Sequence, residues 1–278
     1  MNGAVDQADG LRRLLTAGRP RIISIAGMSR QVGATTAAMN LCVELSRQGK
    51  PVLLLDEHGP SRQSACSVWS VAPGGSLADV TSGRMDLASA AAHVSCGVKI
   101  LPAPRTALSC VNPRSLWPQG VIVIDVCLDE SRQLSSLART ADDVVIVMQP
   151  SAASITSAYA ALKGLQYTHA LQTFQFIVNQ AGDARQAQVV ISNVVNTSSR
   201  FLAVSLRPLG WVSCDCLVRE AARLRKTVCE ADPTRTAARE FRQIAAALTR
   251  AAVSSSRPLL AAPADSGPPA LAPAPRAA

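Results

Sequence analysis

The sequence predicts one α/β domain with a doubly wound, mostly parallel sheet of about seven to eight strands and helices on both faces. Three observations support this fold class. Short, wholly apolar runs alternate with helical stretches along most of the chain. Apolar residues make up 48% of the 278 residues, which is enough to bury a sizeable core. Aromatic residues make up only 3%, so that core has to be aliphatic, as a sheet covered by helices on both faces requires.

The first elements form one β-α-β unit. The run RIISIA (21–26) predicts a strand, and AAMNLCVELSRQG (37–49) predicts a helix that ends at its glycine. PVLLLD (51–56) predicts the second strand. Because a helical crossover joins these strands, we expect them to form a parallel pair.

Further apolar runs extend the predicted sheet. A helix, SITSAYAALKGL, follows Pro150 and separates two of the strands that the runs indicate. The predicted strands are VKILPA (98–103), VIVID (121–125), VVIVM (144–148), FQFIVN (174–179) and a short last strand that ends in WV (211–212).

The composition divides the chain into three parts. Residues 1–19 have the apolar spacing of one amphipathic helix, and residues 20–251 contain the α/β domain. Residues 252–278 are rich in Pro, Ala and Ser, and we expect a disordered tail because such a segment buries too little apolar surface. In the last helical stretch, 234–253, the apolar face is short, so packing on the core is favoured over contact with a membrane.

Charge and cysteine usage restrict the cellular setting. The N-terminus does not have the pattern of a signal peptide, and no apolar run is long enough to cross a bilayer, so we expect a cytoplasmic protein with reduced thiols. Cys214 and Cys216 form a C-x-C pair without further ligands at metal-binding spacing. The net charge of +9 is scattered along the chain, which is not the pattern of a nucleic-acid surface.

The segment between the first strand and its helix has the position of a phosphate-binding loop. The motif G-x-x-x-x-G-K-[ST] falls on residues 28 to 35, which read M-S-R-Q-V-G-A-T. Backbone N–H groups of such a loop and the following helix N-terminus surround phosphates. The predicted nucleotide contacts in this loop are Arg30, Gln31, Val32, Gly33, Ala34, Thr35 and Thr36.

Five segments together carry a family resemblance. Residues 21–59 resemble the opening of MinD/ParA-class ATPases, whose deviant loop reads K-G-G-x-G-K-T-T. Residues 76–91, 141–163 and 201–228 resemble one branch of that class, the flagellar-number regulators called FlhG or FleN. Residues 6–12 read D-Q-A-D-G-L-R and are similar to the D-Q-A-x-x-L-R motif that this branch carries before its ATPase domain.

The resemblance assigns a role to the leader. In the family this helix docks on a signal-recognition-particle-type GTPase, FlhF, and stimulates its GTP hydrolysis. Gln7 would act in the partner's nucleotide site, where a glutamine can orient the attacking water. The alternative is an ordinary N-terminal helix that packs on its own domain. The partner-binding residues implied by the motif are Asp6, Gln7, Ala8, Leu11, Arg12 and Leu14.

The phosphate loop departs from the family pattern in its charge. The two family lysines fall on Ser29 and Ala34, and the first glycine of the general motif falls on Met28. Arg30 lies next to the first of these positions and is either a substitute cation or a solvated loop residue. Loss of one charged phosphate contact costs on the order of 2–4 kcal/mol. We therefore expect weak or absent binding of ATP or ADP with Mg²⁺, and inefficient hydrolysis.

The resemblance also assigns residues beyond the loop. Thr35, Asp56 and Asp125 would hold Mg²⁺, and Asp56 would contribute to catalysis. His58 stands where the family has a second, water-positioning aspartate and is the other candidate catalytic residue, because a neutral histidine can accept a proton. Asn179 and Asp215 match residues on the adenine side of the family's site, although Asn179 could equally have a buried structural role.

The sequence thus predicts a regulator of flagellar number and placement that binds an FlhF-type GTPase and has little ATPase activity. The alternative is a working MinD/ParA-type ATPase that cycles between a monomer and an ATP-bound dimer. Other implied partners are a flagellar transcription activator or a C-ring component, with recruitment to the cell pole. A DNA-binding partition protein is a third hypothesis, supported only by the basic charge.

Overall fold

The computed structural model describes residues 20 to 255, except 60, 63, 106–111, 119, 170 and 203. The predicted leader, 1–19, and most of the predicted tail therefore lie outside the described residues. In the described part the sheet has eight strands. They are β1 (Arg21–Gly27), β2 (Val52–Asp56), β3 (Ala92–His93), β4 (Lys99–Pro102), β5 (Val121–Val126), β6 (Asp143–Met148), β7 (Thr173–Ala181) and β8 (Ser205–Ser213).

The helices connect these strands. Four of the described helices are long: Ala34–Arg47, Ala152–His169, Ala184–Phe201 and Thr236–Ser255. A short 3-10 helix, Ala138–Thr140, precedes β6. In chain order the α-helices are α1 (Ala34–Arg47), α2 (Ala65–Trp69), α3 (Leu77–Thr81), α4 (Leu87–Ala90), α5 (Pro113–Leu116), α6 (Ala152–His169), α7 (Ala184–Phe201), α8 (Cys216–Arg223), α9 (Val228–Ala231) and α10 (Thr236–Ser255).

The strand order is β3-β4-β2-β5-β1-β6-β7-β8. The pairs formed by β1, β2, β4, β5, β6, β7 and β8 are parallel, and only the short β3 is antiparallel to its neighbour among the described strands. The predicted doubly wound α/β fold is confirmed. The predicted pairing of β1 with β2 is wrong in one respect: the two strands are parallel, but β5 lies between them. The α1 crossover thus spans one strand.

Alternate side chains of each strand enter two separate cores. Ile23 and Ile25 of β1 belong to a buried cluster on one face of the sheet, together with residues of α1 and α10. Ile22 and Ala26 belong to the cluster on the other face, together with residues of α6 and α7. This arrangement is the one that the aliphatic, aromatic-poor composition predicts.

The last helix packs on the first core. Phe241, Ile244, Ala245 and Leu248 of α10 are at most 1% exposed and lie in the same cluster as α1. The predicted packing of this face on the core is therefore confirmed. The helix continues to Ser255, beyond the end predicted for the domain. A search of the described residues finds no helix that is both long and apolar enough to span a membrane.

Candidate functional site

The carboxyl ends of the central parallel strands meet at one edge of the sheet. The loop 28–33 follows β1, and Asp56 of β2 lies directly beside Asp125 of β5 in the strand register. Gln149 follows β6, and Asn179 lies near the end of β7. Ligands of open α/β sheets bind at such an edge, so the structure brings most predicted site residues to the expected place.

The backbone of the phosphate loop has the form of an anion-binding turn. Gln31 and Gly33 both have positive φ, 60° and 83°, and Gly33 is the N-cap of α1. No side chain caps α1 in the part of the chain described, so its first N–H groups stay open toward the loop. Thr35 and Thr36 lie in this first turn and are partly exposed. The turn can therefore donate backbone hydrogen bonds to a phosphate.

Amide side chains from neighbouring strand ends donate hydrogen bonds to backbone carbonyls of the phosphate loop. Asn179 is 6% exposed, and its Nδ2 donates to the Val32 carbonyl at 2.8 Å. Gln149 Nε2 donates to the Gln31 carbonyl at 3.1 Å and to Gln180 Oε1 at 2.8 Å. We call Gln149, Asn179 and Gln180 the amide clamp. The structure thus gives Asn179 the structural role that the sequence left open, and its predicted contact with adenine stays a prediction.

The loop itself has no buried cation. Met28, at the position of the first motif glycine, is 2% exposed and packs in the second core. Ser29 and Ala34, at the positions of the two lysines, are half-buried. Arg30 is exposed, and among the described residues it makes neither a hydrogen bond nor an ion pair. The positive charge that normally faces the phosphates is therefore missing from the loop.

Three carboxylates lie together at the ends of β2 and β5. Asp56, Glu57 and Asp125 are 1%, 3% and 0% exposed. The two oxygens of Asp56 accept the backbone N–H groups of His58 at 3.0 Å and Cys66 at 3.2 Å. Burial, followed by repulsion from Asp125, raises the pKa of Asp56.

Glu57 was not assigned a role from the sequence, although it directly follows the predicted site residue Asp56. Its carboxylate accepts the backbone N–H of Cys127 at 3.1 Å and the hydroxyl of Ser135. Burial raises the pKa of Glu57 to about 6. Arg105 donates to the Cys127 carbonyl at 3.1 Å, so the segment after β5 is fixed from two sides.

Asp125 has no hydrogen-bond partner for either carboxylate oxygen within the described residues. The nearest cationic group is His58, whose Nε2 lies 3.6 Å from Asp125 Oδ1, an ion-pair contact that is too long for a hydrogen bond. Interaction with Asp125 raises the pKa of His58, and burial opposes this effect. His58 thus lies beside Asp125 at the end of the neighbouring strand.

Asp215 lies apart from this cluster, at the end of β8. It is the N-cap of α8 and accepts the Leu217 N–H at 2.9 Å. Its carboxylate also pairs with Arg235 at 2.9 Å, and this hydrogen-bonded contact lowers the pKa of Asp215. These contacts give Asp215 a structural role, and its predicted position beside adenine stays a prediction.

The residues fit a phosphate better than they fit a magnesium ion. The open N–H groups after Gly33 suit an anion. Of the predicted metal ligands, Asp56 already accepts two backbone N–H groups and Asp125 faces His58. The described residues contain no group of three or more His, Cys, Asp or Glu arranged to hold a metal ion. The predicted binding of Mg²⁺ by Thr35, Asp56 and Asp125 stays a prediction.

The fold is similar to that of solved MinD and ParA-family proteins. MinD from Aquifex aeolicus superposes with a TM-score of 0.66 at 18% identity, covering 83% of this chain and 97% of that one. MinD from Pyrococcus horikoshii, solved with Mg-ADP, gives 0.61 at 20% identity and covers 86% and 100%. A ParA-family ATPase from Chlorobium tepidum gives 0.62 at 17% identity and covers 82% and 98%.

In sequence, the chain is similar to an antiactivator. It is 28% identical over 239 residues to the antiactivator FleN of Pseudomonas aeruginosa, a match that covers 81% of this chain and 85% of FleN. The predicted resemblance to the FlhG/FleN family is thereby confirmed. No protein-family model matches the chain.

Proposed function

We propose that this chain regulates flagellar number and placement as a partner-binding scaffold whose own ATP hydrolysis is weak or absent. The observation that carries the proposal is the similarity to the antiactivator FleN along 239 residues. That similarity spans the α/β domain, so it concerns the whole scaffold rather than one motif.

The phosphate loop supports a scaffold more than an enzyme. No lysine stands at residues 28–36, and Arg30 is exposed and makes no hydrogen bond or ion pair in the described part. Each lost charged contact costs on the order of 2–4 kcal/mol, and more in a transition state where charge develops. ATP or ADP would then be held mainly by backbone N–H groups, which bind a polyphosphate weakly.

The action on a partner is assigned to the leader. Its D-Q-A-x-x-L-R motif, residues 6–12, lies outside the described residues, and the motif itself supports this step. Leu11 and Leu14 would dock an apolar face on an FlhF-type GTPase, and Arg12 would pair with acidic or phosphate groups. Gln7 would orient the water that attacks GTP.

A GTPase assay tests the proposal. The full chain, and a peptide of residues 1–20, should raise the GTP turnover of an FlhF-type GTPase, and Gln7→Ala should remove most of that gain. Asn2→Ala is a matched control, because it removes another leader amide outside the motif. No stimulation, or stimulation that survives Gln7→Ala, would reject this mechanism.

A second candidate is an ATPase that cycles between a monomer and an ATP-bound dimer. It is favoured by the open N–H groups at the start of α1 and by the exposed, unpaired Arg30 among the described residues. ATP turnover that collapses in Arg30→Ala, while the exposed Arg62→Ala variant keeps it, would establish this function. Turnover that is absent from the unaltered chain would exclude it.

Two further partners belong to the same proposal. The relative FleN is named an antiactivator, which supports a flagellar transcription activator as a second binding partner, and a C-ring component is the alternative. A cytoplasmic pool that is recruited to the cell pole would follow from binding the GTPase. Co-precipitation with each candidate, and imaging of a fluorescent fusion with and without Gln7→Ala, would separate these partners.

A further inference from the structure

We infer that the leader, residues 1–19, docks reversibly in a cavity of its own domain when it is not bound to a partner. The cavity lies at the amino-end edge of the sheet, opposite the edge that carries the phosphate loop. The docking does not depend on the proposed function. Its consequence, a leader that is withheld from the GTPase, does rest on that proposal.

The cavity has a volume of about 380 Å³. It lies where α6 ends before β7 and where the 3-10 helix precedes β6, so both elements meet at the amino ends of parallel strands. Its lining combines a guanidinium, an aromatic ring, a hydroxyl, an imidazole and an aliphatic side chain: Arg139, Tyr167, Thr168, His169 and Leu171. Such a lining suits a peptide segment that carries both carboxylates and apolar side chains.

Three of these side chains have few contacts with their own domain. Tyr167 is 79% exposed, the highest value among the exposed large hydrophobic side chains of the described residues. Arg139 is exposed and donates to Ser136 Oγ at 3.3 Å, without an ion pair in the described part of the chain. His169 Nε2 is buried and has no hydrogen-bond partner there. An occupant that covers the tyrosine ring and brings carboxylate and peptide groups would supply what these side chains lack.

The described chain begins beside this cavity. Arg114 donates from Nη1 to the Pro20 carbonyl at 2.6 Å and from Nη2 to the Thr140 carbonyl at 3.2 Å. One guanidinium thus joins the entry of β1 to the last residue of the 3-10 helix, and Thr140 directly follows Arg139 of the cavity lining. Residues 1–19 are therefore attached to the domain next to the cavity and not at the phosphate-loop edge.

The leader has the length and the charge to occupy the cavity. Asp9 lies eleven residues before Pro20, a stretch that would span about 16 Å even if all of it were helical. Residues 2–11 contain two carboxylates, Asp6 and Asp9, and neither Lys nor Arg, so this part of the leader complements Arg139. The leucines that follow can cover the exposed aromatic ring.

The docking has to be weak, because the leader must leave the cavity to reach a partner. A tethered segment needs little intrinsic affinity, since its effective concentration beside its own domain is on the order of millimolar. Loss of the contact should therefore change the melting temperature by no more than about 2 °C. The cavity and a partner GTPase then compete for the same leader, so that stimulation is withheld until a partner binds the leader.

A zero-length cross-link in the full chain tests the docking. Arg139→Lys keeps the positive charge and lets a carbodiimide join the introduced amine to a nearby carboxylate. We expect a link within one chain to Asp6 or Asp9, identified by mass spectrometry, and Tyr167→Ala added to this variant should lower its yield about threefold. Leu224→Ala changes another exposed apolar side chain and should leave the yield unchanged.

Tryptic release of residues 1–12 from the full chain is the second measurement. Arg139→Ala and Tyr167→Ala should each be cut there about threefold faster than the unaltered chain, because their leader spends less time in the cavity. The exposed Arg185→Ala variant on α7 is the matched control and should be cut at the unaltered rate.

Three outcomes would overturn the inference. They are the absence of a link between position 139 and the leader, links that form only between two chains, which would make a second copy the occupant, and equal cleavage of all the variants. No GTPase takes part in either measurement, so a failure here is distinct from a failure of the proposed function.

Discussion

Two neighbouring residues at the end of β2 show how burial changes the behaviour of ordinary side chains. Glu57 is 3% exposed and is hydrogen-bonded to the segment after β5, and His58 lies beside Asp125. Neither role follows from residue type alone, because each depends on a partner far away in the sequence. The same applies to Gly33, which lies against a side chain of β7.

Glu57 should make stability depend on pH in the direction opposite to most carboxylates. Its folded pKa is raised to about 6, so the folded state binds a proton more tightly than the unfolded state. The folding stability that Glu57 contributes is therefore fully present at low pH and is lost as pH rises through about 6. Between pH 5 and 7.5 the loss is about 1 kcal/mol of unfolding free energy.

Denaturant unfolding at those two pH values checks this prediction. Glu57→Gln has no titrating carboxyl, so its stability should fall less than that of the unaltered chain between pH 5 and 7.5. The exposed Glu130→Gln variant is the control and should follow the unaltered chain. Equal pH dependence in all three proteins would contradict the prediction.

Gly33 should be the least replaceable glycine of the phosphate loop. It has a φ of 83°, and a Cβ added there would lie 2.4 Å from Asn179 Nδ2. Gly33→Ala therefore combines backbone strain with a clash and should cost on the order of 2–4 kcal/mol in unfolding free energy. Gly49→Ala is a matched control, since Gly49 has a φ of 75° with nothing within 4 Å of the added carbon. Equal destabilisation of the two variants would show that the Asn179 contact is unimportant.

At the scale of elements, the apolar runs predict the central strands well but not their spatial order. Strands β1, β2, β5, β6 and β7 lie where continuous aliphatic runs predict them. The position of β5 between β1 and β2 is set by tertiary packing, which a local pattern does not contain.

The apolar pattern predicts the edge strands β3 and β8 less well than the central strands. β8 extends over Ser205–Ser213, whereas the sequence predicted a short strand, because Pro208 and Gly210 interrupt its apolar run. Those residues coincide with a register shift against β7. The two-residue β3 has no apolar run to reveal it.

The sequence predicts where the site residues lie in the fold, but it predicts only some of their side-chain contacts. Asp56 and Asp125 follow apolar runs, and parallel strands bring such ends together. Gln149 directly follows an apolar run, and Gln180 follows Asn179 at the end of the next predicted strand, so the positions of both residues were a usable signal. The pairing of His58 with Asp125 requires the order of β2 and β5, which only the structure shows.

The amide clamp should keep the phosphate loop ordered without nucleotide. Asn179→Ala removes the donor to the Val32 carbonyl, and Gln149→Ala removes the donor to the Gln31 carbonyl. Hydrogen exchange followed by mass spectrometry should show faster exchange in residues 31–36 for both variants, roughly tenfold for the buried Asn179 bond and less for the exposed Gln149 bond. The exposed Asn193→Ala variant on α7 should leave that exchange unchanged. Unchanged exchange in both clamp variants would mean that the loop is held by other contacts.

At the scale of the whole molecule, the described chain has two complete cores and a site built only from the α/β domain. Both buried clusters lie within residues 22–248. The leader motif and the sheet edge can then act separately, one on a partner and the other as a turn whose N–H groups can accept an anion. This separation distinguishes the proposed scaffold from an ATPase whose nucleotide state governs every contact.

Removal of residues 1–19 tests that separation. If the leader acts on the partner GTPase, the shortened chain should melt within about 2 °C of the full chain, because the described cores contain residues from 22 onward. The same deletion should abolish stimulation of the GTPase. Phe241→Ala gives the opposite pattern as a control: it creates a cavity in the first core and should cost about 3–5 kcal/mol, while stimulation per folded molecule persists. A marked fall in melting temperature on deletion would instead show that the leader packs on its own domain, the alternative that the sequence left open.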